Sequence, residues 1–272
     1  ISNKKEKEEC TVNTRPFDPS VIFTTMPDLL SYLSVTLLVA VTSIILGSLF
    51  GMILAQAKMG THRIPRWLAH GYTYIMRCTP SIVLLFIVFY GLPKLVEVFT
   101  SYDMNDVNRA VFAIITFTLL FGAYISEVFR AAYQAVPKGQ YEAAVSIGLT
   151  PFQAFYQVML PQAAVIALPN FGNSVINLLK EGALAYTIGL IDLIGKANLI
   201  IAQNFGAYGI EIYLSCMIIY WVMTTLLAKG FLALEAHLDK GQTLQAGQMK
   251  RSRILPLFKT TPALIKKFQR QG

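Results

Sequence analysis

LSVTLLVAVTSIILGSLFGMILAQA, residues 33–57, contains no Asp, Glu, Lys or Arg. A bilayer core of roughly 30 Å takes about 20 apolar residues in a helix, so this stretch is long enough to cross one. Within it Gly47 and Gly51 stand four apart, a small-xxx-small pair. Two readings are open for them: the close approach of another helix, or the ordinary abundance of glycine in membrane helices.

The rest of the chain agrees with a membrane setting. Of 272 residues, 54% are hydrophobic and 14% are charged, against about a quarter charged in soluble domains. A lipid-facing surface excludes charge, because a charged side chain at the bilayer centre costs roughly 2.5–3.5 kcal/mol. The net charge is +8. The basic residues fall between and after the apolar bands, which is a topology pattern and not a nucleic-acid footprint. Residues 4–9, KKEKEE, are a charged run and not a signal-peptide core. Cys10, Cys78 and Cys216 form no CxxC, and His62, His70 and His237 have no metal spacing, so no metal or redox site is expected.

Four further apolar bands follow. Residues 67–75 read as interfacial and aromatic, Arg77 and Pro80 interrupt, and 81–93 is the second span. The third is 110–126, continuing as helix to about Tyr133 before Pro137. The fourth lies within the charge-free residues 143–179, which Gly148, Pro151, Pro161 and Pro169 are expected to divide. The fifth is 212–228, and residues 186–208 suit a short external or re-entrant helix. The first loop carries Lys58, Arg63 and Arg66 without an acid, and the tail carries Lys250, Arg251, Arg253 and further bases. By the positive-inside rule both are cytoplasmic, which puts the N-terminus outside and the C-terminus in the cytoplasm. The expected organisation is an extracytoplasmic segment 1–27, a transmembrane domain 28–240 and a basic tail 241–272 close enough to meet anionic lipid.

No ATP-binding chemistry is visible. Gly189 to Lys196 superficially suggests a phosphate loop, but the glycine spacing is too long and Ala197 stands where Ser or Thr should bind magnesium. No nucleophile–base arrangement appears, so no catalytic residue is assigned. No internal repeat of the kind seen in many secondary transporters is present.

The loop between spans three and four reads VPKGQYEAAVSIGLT (136–150), followed by VMLPQA (158–163). Physically, Glu142 is expected to open a short helix at about 138–150, at the positive end of its dipole. Ala143 and Ala144 leave little bulk against a partner, and Gly148 lets the chain turn. Glu142, Ala143, Ala144 and Gly148 in a cytoplasmic loop resemble the EAA loop of ATP-binding-cassette importer permeases. RCTP (77–80), YGLP (90–93), AYISEVFR (123–130), ALP (167–169) and LLKE (178–181) narrow the resemblance to the polar amino-acid uptake subfamily, the histidine and glutamine permease type. Cys78 departs from it, since the subfamily usually has Gly there. KEGALAYTIG (180–189) is most similar to cystine-type permeases.

The resemblance implies an all-helical polytopic fold of five spans, the type I importer permease fold, in a bacterial cytoplasmic membrane. It implies two ATPase subunits that hold Mg-ATP, a second permease subunit (identical or related), and an external amino-acid-binding protein. The 138–150 helix would couple to the ATPase. The competing readings are a membrane scaffold and a secondary transporter; the first leaves a polar stripe unexplained, the second leaves the coupling loop unexplained. That stripe is Asn170, Asn173, Ser174, Asn177 and Glu181, at steps of three or four on one face of span four. It is either the wall of a substrate path or polar glue between helices. Glu127 and Arg130, three apart, are expected to pair, with Arg77 approaching Glu127.

Overall fold

A computed structural model describes residues 16–100, 104 and 106–238. The described residues form helices joined by short links, with no strand among them: α1 (Pro19–Ser31), α2 (Leu33–Met59), α3 (Arg63–Cys78), α4 (Ser81–Thr100), α5 (Arg109–Ala135), α6 (Lys138–Ser146), α7 (Pro151–Gln153), a π-helical turn (Ala154–Met159), α8 (Leu160–Gly182), a 3-10 turn (Ala183–Ile188), α9 (Leu193–Gln203) and α10 (Gly209–Leu238). The chain divides into two compact units, Ile1–Ala228 and Lys229–Gly272. Of the second, the described residues are 229–238. The basic residues from Lys250 onward and the N-terminal run through residue 15 lie outside the described residues.

Helices α2, α4, α5 and α10 are each long and apolar enough to cross a bilayer. The stretch Pro151–Ile188 followed by Leu193–Gln203, bent by 45°, supplies a fifth crossing if taken as one broken span. Counted in that way the described residues supply the five crossings expected from the sequence, and α9 lies within residues 186–208, where a short helix is expected.

The first unit is organised around α5. Some 56% of its apolar stretch is buried, against 17% for α4. Its closest neighbour is α2, and the reason is visible in the spacing. Ala40, Ser43, Gly47, Gly51, Ala55 and Lys58 recur at steps of three and four, and all are buried. The large residues Leu38, Ile45, Leu49 and Ile53 face outward. Small residues inward and large ones outward is the pattern of a helix that packs by backbone approach while its bulky face meets lipid. A Cβ on Gly47 would lie 2.9 Å from Phe121, one on Gly51 would overlap Ile125, and one on Gly122 of α5 would lie 2.6 Å from Phe50. The close-approach reading of the glycine pair is the correct one.

A second cluster joins α1, α9 and α10 through Leu29, Leu193, Ala197, Ile212, Cys216 and Ile219. Glu211 accepts from the Asp18 N–H at 3.1 Å, and Ser215 donates to the Ile22 carbonyl at 3.0 Å. Helix α1 thus runs through the boundary expected near residue 27.

Two expectations about breaks are corrected. Arg77 does not interrupt the second band, because α3 continues through it to Cys78. The break is at Thr79, held extended at φ −88° and ψ 127° before Pro80, as the ring of a following proline requires. In the fourth band only Gly148 divides the chain. Pro151 starts a helix, Pro161 lies in the first turn of α8 and Pro169 lies within it. The π turn ends just before Pro161, where the ring excludes an ordinary i−4 bond and the wider helix takes up the mismatch.

Candidate functional site

Helix α6 is the first candidate element. It starts at Lys138 after Pro137, so Glu142 lies in its middle and no acid occupies its first turn. The expected dipole role of Glu142 is therefore not realised. Its carboxylate is exposed and its backbone carbonyl accepts from Ser146 Oγ at 2.8 Å. Ala143 is exposed, but Ala144 is 4% exposed and turned into the protein. The small side chains thus serve both sides: Ala143 leaves the outer face low, and Ala144 lets α6 sit down on the bundle. Beneath it Val136, Met159 and Ala163 form a small core with Tyr133, Tyr141 and Ile166.

The helix ends as the sequence requires. The Leu149 N–H reaches the Ala144 carbonyl at 3.2 Å and the Gly148 N–H reaches Val145 at 3.0 Å, which is a Schellman closure. Gly148 has φ +95°, a left-handed conformation that a side chain disfavours. Thr150 and Gln153 then cap each other's backbone, with Pro151 at the first helical position. This capping box was legible as T-P-x-Q. Ile147 and Phe152, 80% and 75% exposed, stand on either side of the turn.

The polar stripe lies on α8. Asn170, Asn173 and Asn177 are exposed, and among the described residues their side-chain amides take no hydrogen-bond partner. Ser174 donates to the Asn170 carbonyl at 2.8 Å, and Glu181 is half-buried. These residues share one open face of a helix whose other side is closed by Gly172, Val175, Leu178 and Leu179.

The charged residues of α2 and α5 behave differently. Glu127 takes two N–H bonds from Arg130 at 2.9 and 2.7 Å, the expected pair. Its other oxygen takes Lys58 Nζ at 2.7 Å, and Lys58 also donates to Ser126 Oγ at 2.7 Å. Arg130 completes the set with a 2.7 Å bond to Gln134. Lys58 is thus not a loop residue: its side chain is fully buried in the last turn of α2. Arg77 does not take the place beside Glu127 that was expected of it. Its guanidinium lies over the Tyr124 ring, 5.6 Å from the centroid. The sequence signal that points to Lys58 is its register, three residues after Ala55 on the small-residue stripe of α2.

Two cavities flank these elements. One of about 570 Å³ lies between α3 and α5 and is lined by His70, Thr73, Tyr74, Arg77, Cys78, Tyr124, Glu127 and Arg130. A wider one of about 1170 Å³ lies toward the far ends of α4 and α5, beside Lys94, Glu97 and Arg109. Arg109 there donates to the Gly189 carbonyl at 3.0 Å. Gly189 is the left-handed end of the 3-10 turn and not part of a phosphate loop. Asp192, buried, caps α9 by accepting from the Gly195 N–H at 2.8 Å.

The family model described as "Binding-protein-dependent transport system inner membrane component" matches residues 47–241, which takes in α6 and its Gly148 turn. The chain belongs to that family. As an inner-membrane transport component it is similar to the L-cystine transport system permease protein TcyL of Bacillus subtilis, 37% identical over 84% of this chain and 95% of TcyL. It is also similar to the histidine/lysine/arginine/ornithine transport system permease protein HisQ of Salmonella typhimurium, 36% identical over 76% of this chain and 91% of HisQ. Among solved structures, a crystal structure of an amino acid ABC transporter with histidines superposes with a TM-score of 0.72 at 30% identity, over 82% of this chain and all of that one. The MetNI methionine ABC transporter matches at TM-score 0.59 and 18% identity, a likeness of fold alone. This inner-membrane component is therefore an integral membrane protein with the all-helical importer permease fold, as the sequence resemblance implied. The family also implies an ATPase partner and a binding protein.

Proposed function

We propose that this chain is the path-forming permease subunit of an ATP-driven importer for a polar amino acid, of the cystine class first. The observation that carries this reading is the α6 platform. A short helix with an exposed Glu142 and Ala143 is seated on the ends of α5 and α8 and closed by a glycine turn at φ +95°. Such an element transmits an applied push to two spanning helices at once, because its inner face is packed and its outer face is bare.

In this reading two ATPase subunits, each with Mg-ATP, dock on α6 of this chain and of a second permease subunit, with Ile147 and Phe152 in the contact. The α6 side is cytoplasmic, in keeping with Lys138 and the bases of the first loop. An extracytoplasmic binding protein delivers the solute on the opposite side. The α8 face carrying Asn170, Asn173, Ser174, Asn177 and Glu181 lines the path, since exposed amides on a spanning helix require water or protein and not lipid.

The test is co-purification of the subunit with its ATPase, followed by uptake and ATP hydrolysis measured on the same preparation. Gly148→Asp is the informative variant. Aspartate tolerates the left-handed region better than most residues, so the turn survives while a carboxylate is placed on the docking surface. Uptake is expected to fall below a tenth of the unmodified complex (about tenfold corresponds to 1.4 kcal/mol), with the permease still in the membrane. Unimpaired ATP-coupled uptake would remove α6 from the coupling role.

A further inference from the structure

The cavity between α3 and α5 holds a cation, Arg77, that has no ion-pair partner among the described residues. Glu127 is already engaged by Lys58 and by two N–H groups of Arg130, and Arg130 also holds Gln134. Arg77 has only the Tyr124 ring beneath it, and among the described residues no carboxylate and no hydrogen-bond acceptor for its guanidinium. An arginine within the membrane domain normally pairs with a carboxylate or a carbonyl. Here its five planar donors open instead into a space of about 570 Å³, within the roughly 300–1,000 Å³ typical of small-molecule pockets. The wall around it carries Arg77 and Arg130 with Lys58 behind, against the single carboxylate of Glu127. The wall is net cationic and suits an anion, and the planar guanidinium fork of Arg77 matches a carboxylate.

The position suits a passing solute. Tyr124 lies eleven residues before the end of α5, about 16 Å at 1.5 Å per residue. The Tyr72 hydroxyl donates to the Leu119 carbonyl at 2.9 Å, and Ala69 and Thr73 are buried, so one face of α3 packs along α5 while the rest of the helix is exposed. Arg77, exposed on the last turn of α3 just before the Thr79–Pro80 break, is therefore level with Tyr124 of α5.

We propose that Arg77 holds the carboxylate of the transported amino acid in this cavity, on the cytoplasmic half of the path. The inference rests on the amino-acid importer reading above. The asparagine face of α8 supplies neutral hydrogen bonds, and Arg77 supplies the charge that distinguishes an amino acid from its uncharged relatives.

Cys78 provides a built-in reporter, because it lines the same cavity and is exposed, whereas Cys216 is buried. The experiment uses the permease–ATPase complex in lipid nanodiscs without binding protein, with Cys10→Ser as background. The rate of Cys78 alkylation by N-ethylmaleimide is measured with L-cystathionine or L-histidine present, and with their carboxamides. L-cystathionine is chosen because a thioether cannot exchange with the thiol. Protection by the free acids and not by the carboxamides is expected, and Arg77→Gln is expected to abolish it. In uptake with binding protein, Arg77→Gln is expected to raise KM about 10- to 100-fold, the loss of one charge-assisted hydrogen-bonded contact. Arg77→Lys restores part of this, and Arg63→Gln, exposed at the start of α3, changes nothing.

Equal protection by acid and carboxamide, protection that survives Arg77→Gln, or no protection by either amino acid would overturn the assignment. So would alkylation slowed by phosphatidylglycerol in place of phosphatidylcholine but not by amino acid, which would make the occupant a lipid phosphate. A wild-type complex that imports no amino acid at all would instead bring down the functional reading itself. Import with an unchanged KM in Arg77→Gln brings down this inference alone.

Discussion

The charged knot of Lys58, Glu127 and Arg130 and the amide row of Asn170, Asn173 and Asn177 are both polar groups on spanning helices, yet they are finished in opposite ways. In the knot every charge is answered inside the subunit: both Glu127 oxygens are engaged, Lys58 has two partners, and Arg130 has Glu127 and Gln134. In the row none of the three amides has a partner among the described residues, and all three face out of the subunit. Ionised groups sealed inside the subunit, as Lys58 is, cannot wait for an external partner, because the desolvation cost of an uncompensated buried charge is too large; Arg77, exposed at its cavity, is not under that constraint. Neutral amides can wait, at a cost small enough for water or a second subunit to offset. The knot is therefore architecture, and the row is an unfinished surface awaiting something from outside the chain.

The sharpest way to break this contrast is Glu127→Gln. It leaves Lys58 fully buried without a counter-ion, and a loss of about 3–5 kcal/mol is expected. Thermal unfolding of the purified subunit in detergent measures it, and a Tm within error of the wild type would show that the knot is not structural. Next comes Gly51→Val, which drives α2 from α5 at the contact with Ile125. Overpacking there is expected to cost about 1–3 kcal/mol, read in the same assay. The knot bridges these same two helices, so Gly51→Val and Glu127→Gln combined are expected to deviate from additivity.

Lys58→Met sharpens the knot's internal logic. Glu127 keeps Arg130, and an apolar side chain of similar length fills the buried site. A change within about 1 kcal/mol is expected, far less than for Glu127→Gln. Equal losses for the two variants would contradict the ordering. The smallest stability effect belongs to the row. Asn173→Leu with Asn177→Leu should leave Tm nearly unchanged, within about 0.5 kcal/mol, while amino-acid uptake by the complex collapses. A large fall in Tm for this pair would make the row polar glue between helices, and unimpaired uptake would take it out of the path.

The two regions were not equally readable before the fold was known. The row announces itself by period, since Asn170, Asn173 and Asn177 fall on one face of any helix. The Glu127–Arg130 half of the knot was readable for the same reason, three residues apart in one helix. Lys58 was not: next to Arg63 and Arg66 it looks like one more cytoplasmic base, and only the docking of the small-residue stripe of α2 onto α5 carries it inside. The sequence brings Arg77 toward Glu127 only as a matter of depth in the membrane. The structure gives Glu127 to Lys58, which is held in place by α2, and leaves Arg77 over Tyr124. Pro161 and Pro169 suggested breaks that a π turn and tertiary support absorb. The start expected at about residue 138 agrees with α6, which begins at Lys138 after Pro137; Glu142 therefore falls in the middle of the helix and does not open it.

By itself the sequence determined what depends on neighbours along the chain. That covers the apolar lengths that cross a bilayer, the Gly148 turn, and the face on which the asparagines fall. Only the tertiary structure decided which of those faces are closed. Ala144 turns inward while Ala143 stays open, Lys58 is sealed against Ser126 and Glu127, and Arg77 is left facing a cavity. The physical reason is that hydrogen-bond patterns and helical period are local, whereas burial is a relation between faces of helices far apart in the chain. A one-dimensional pattern can show that a face exists, and the packing of α2, α3, α5 and α8 decides what it meets.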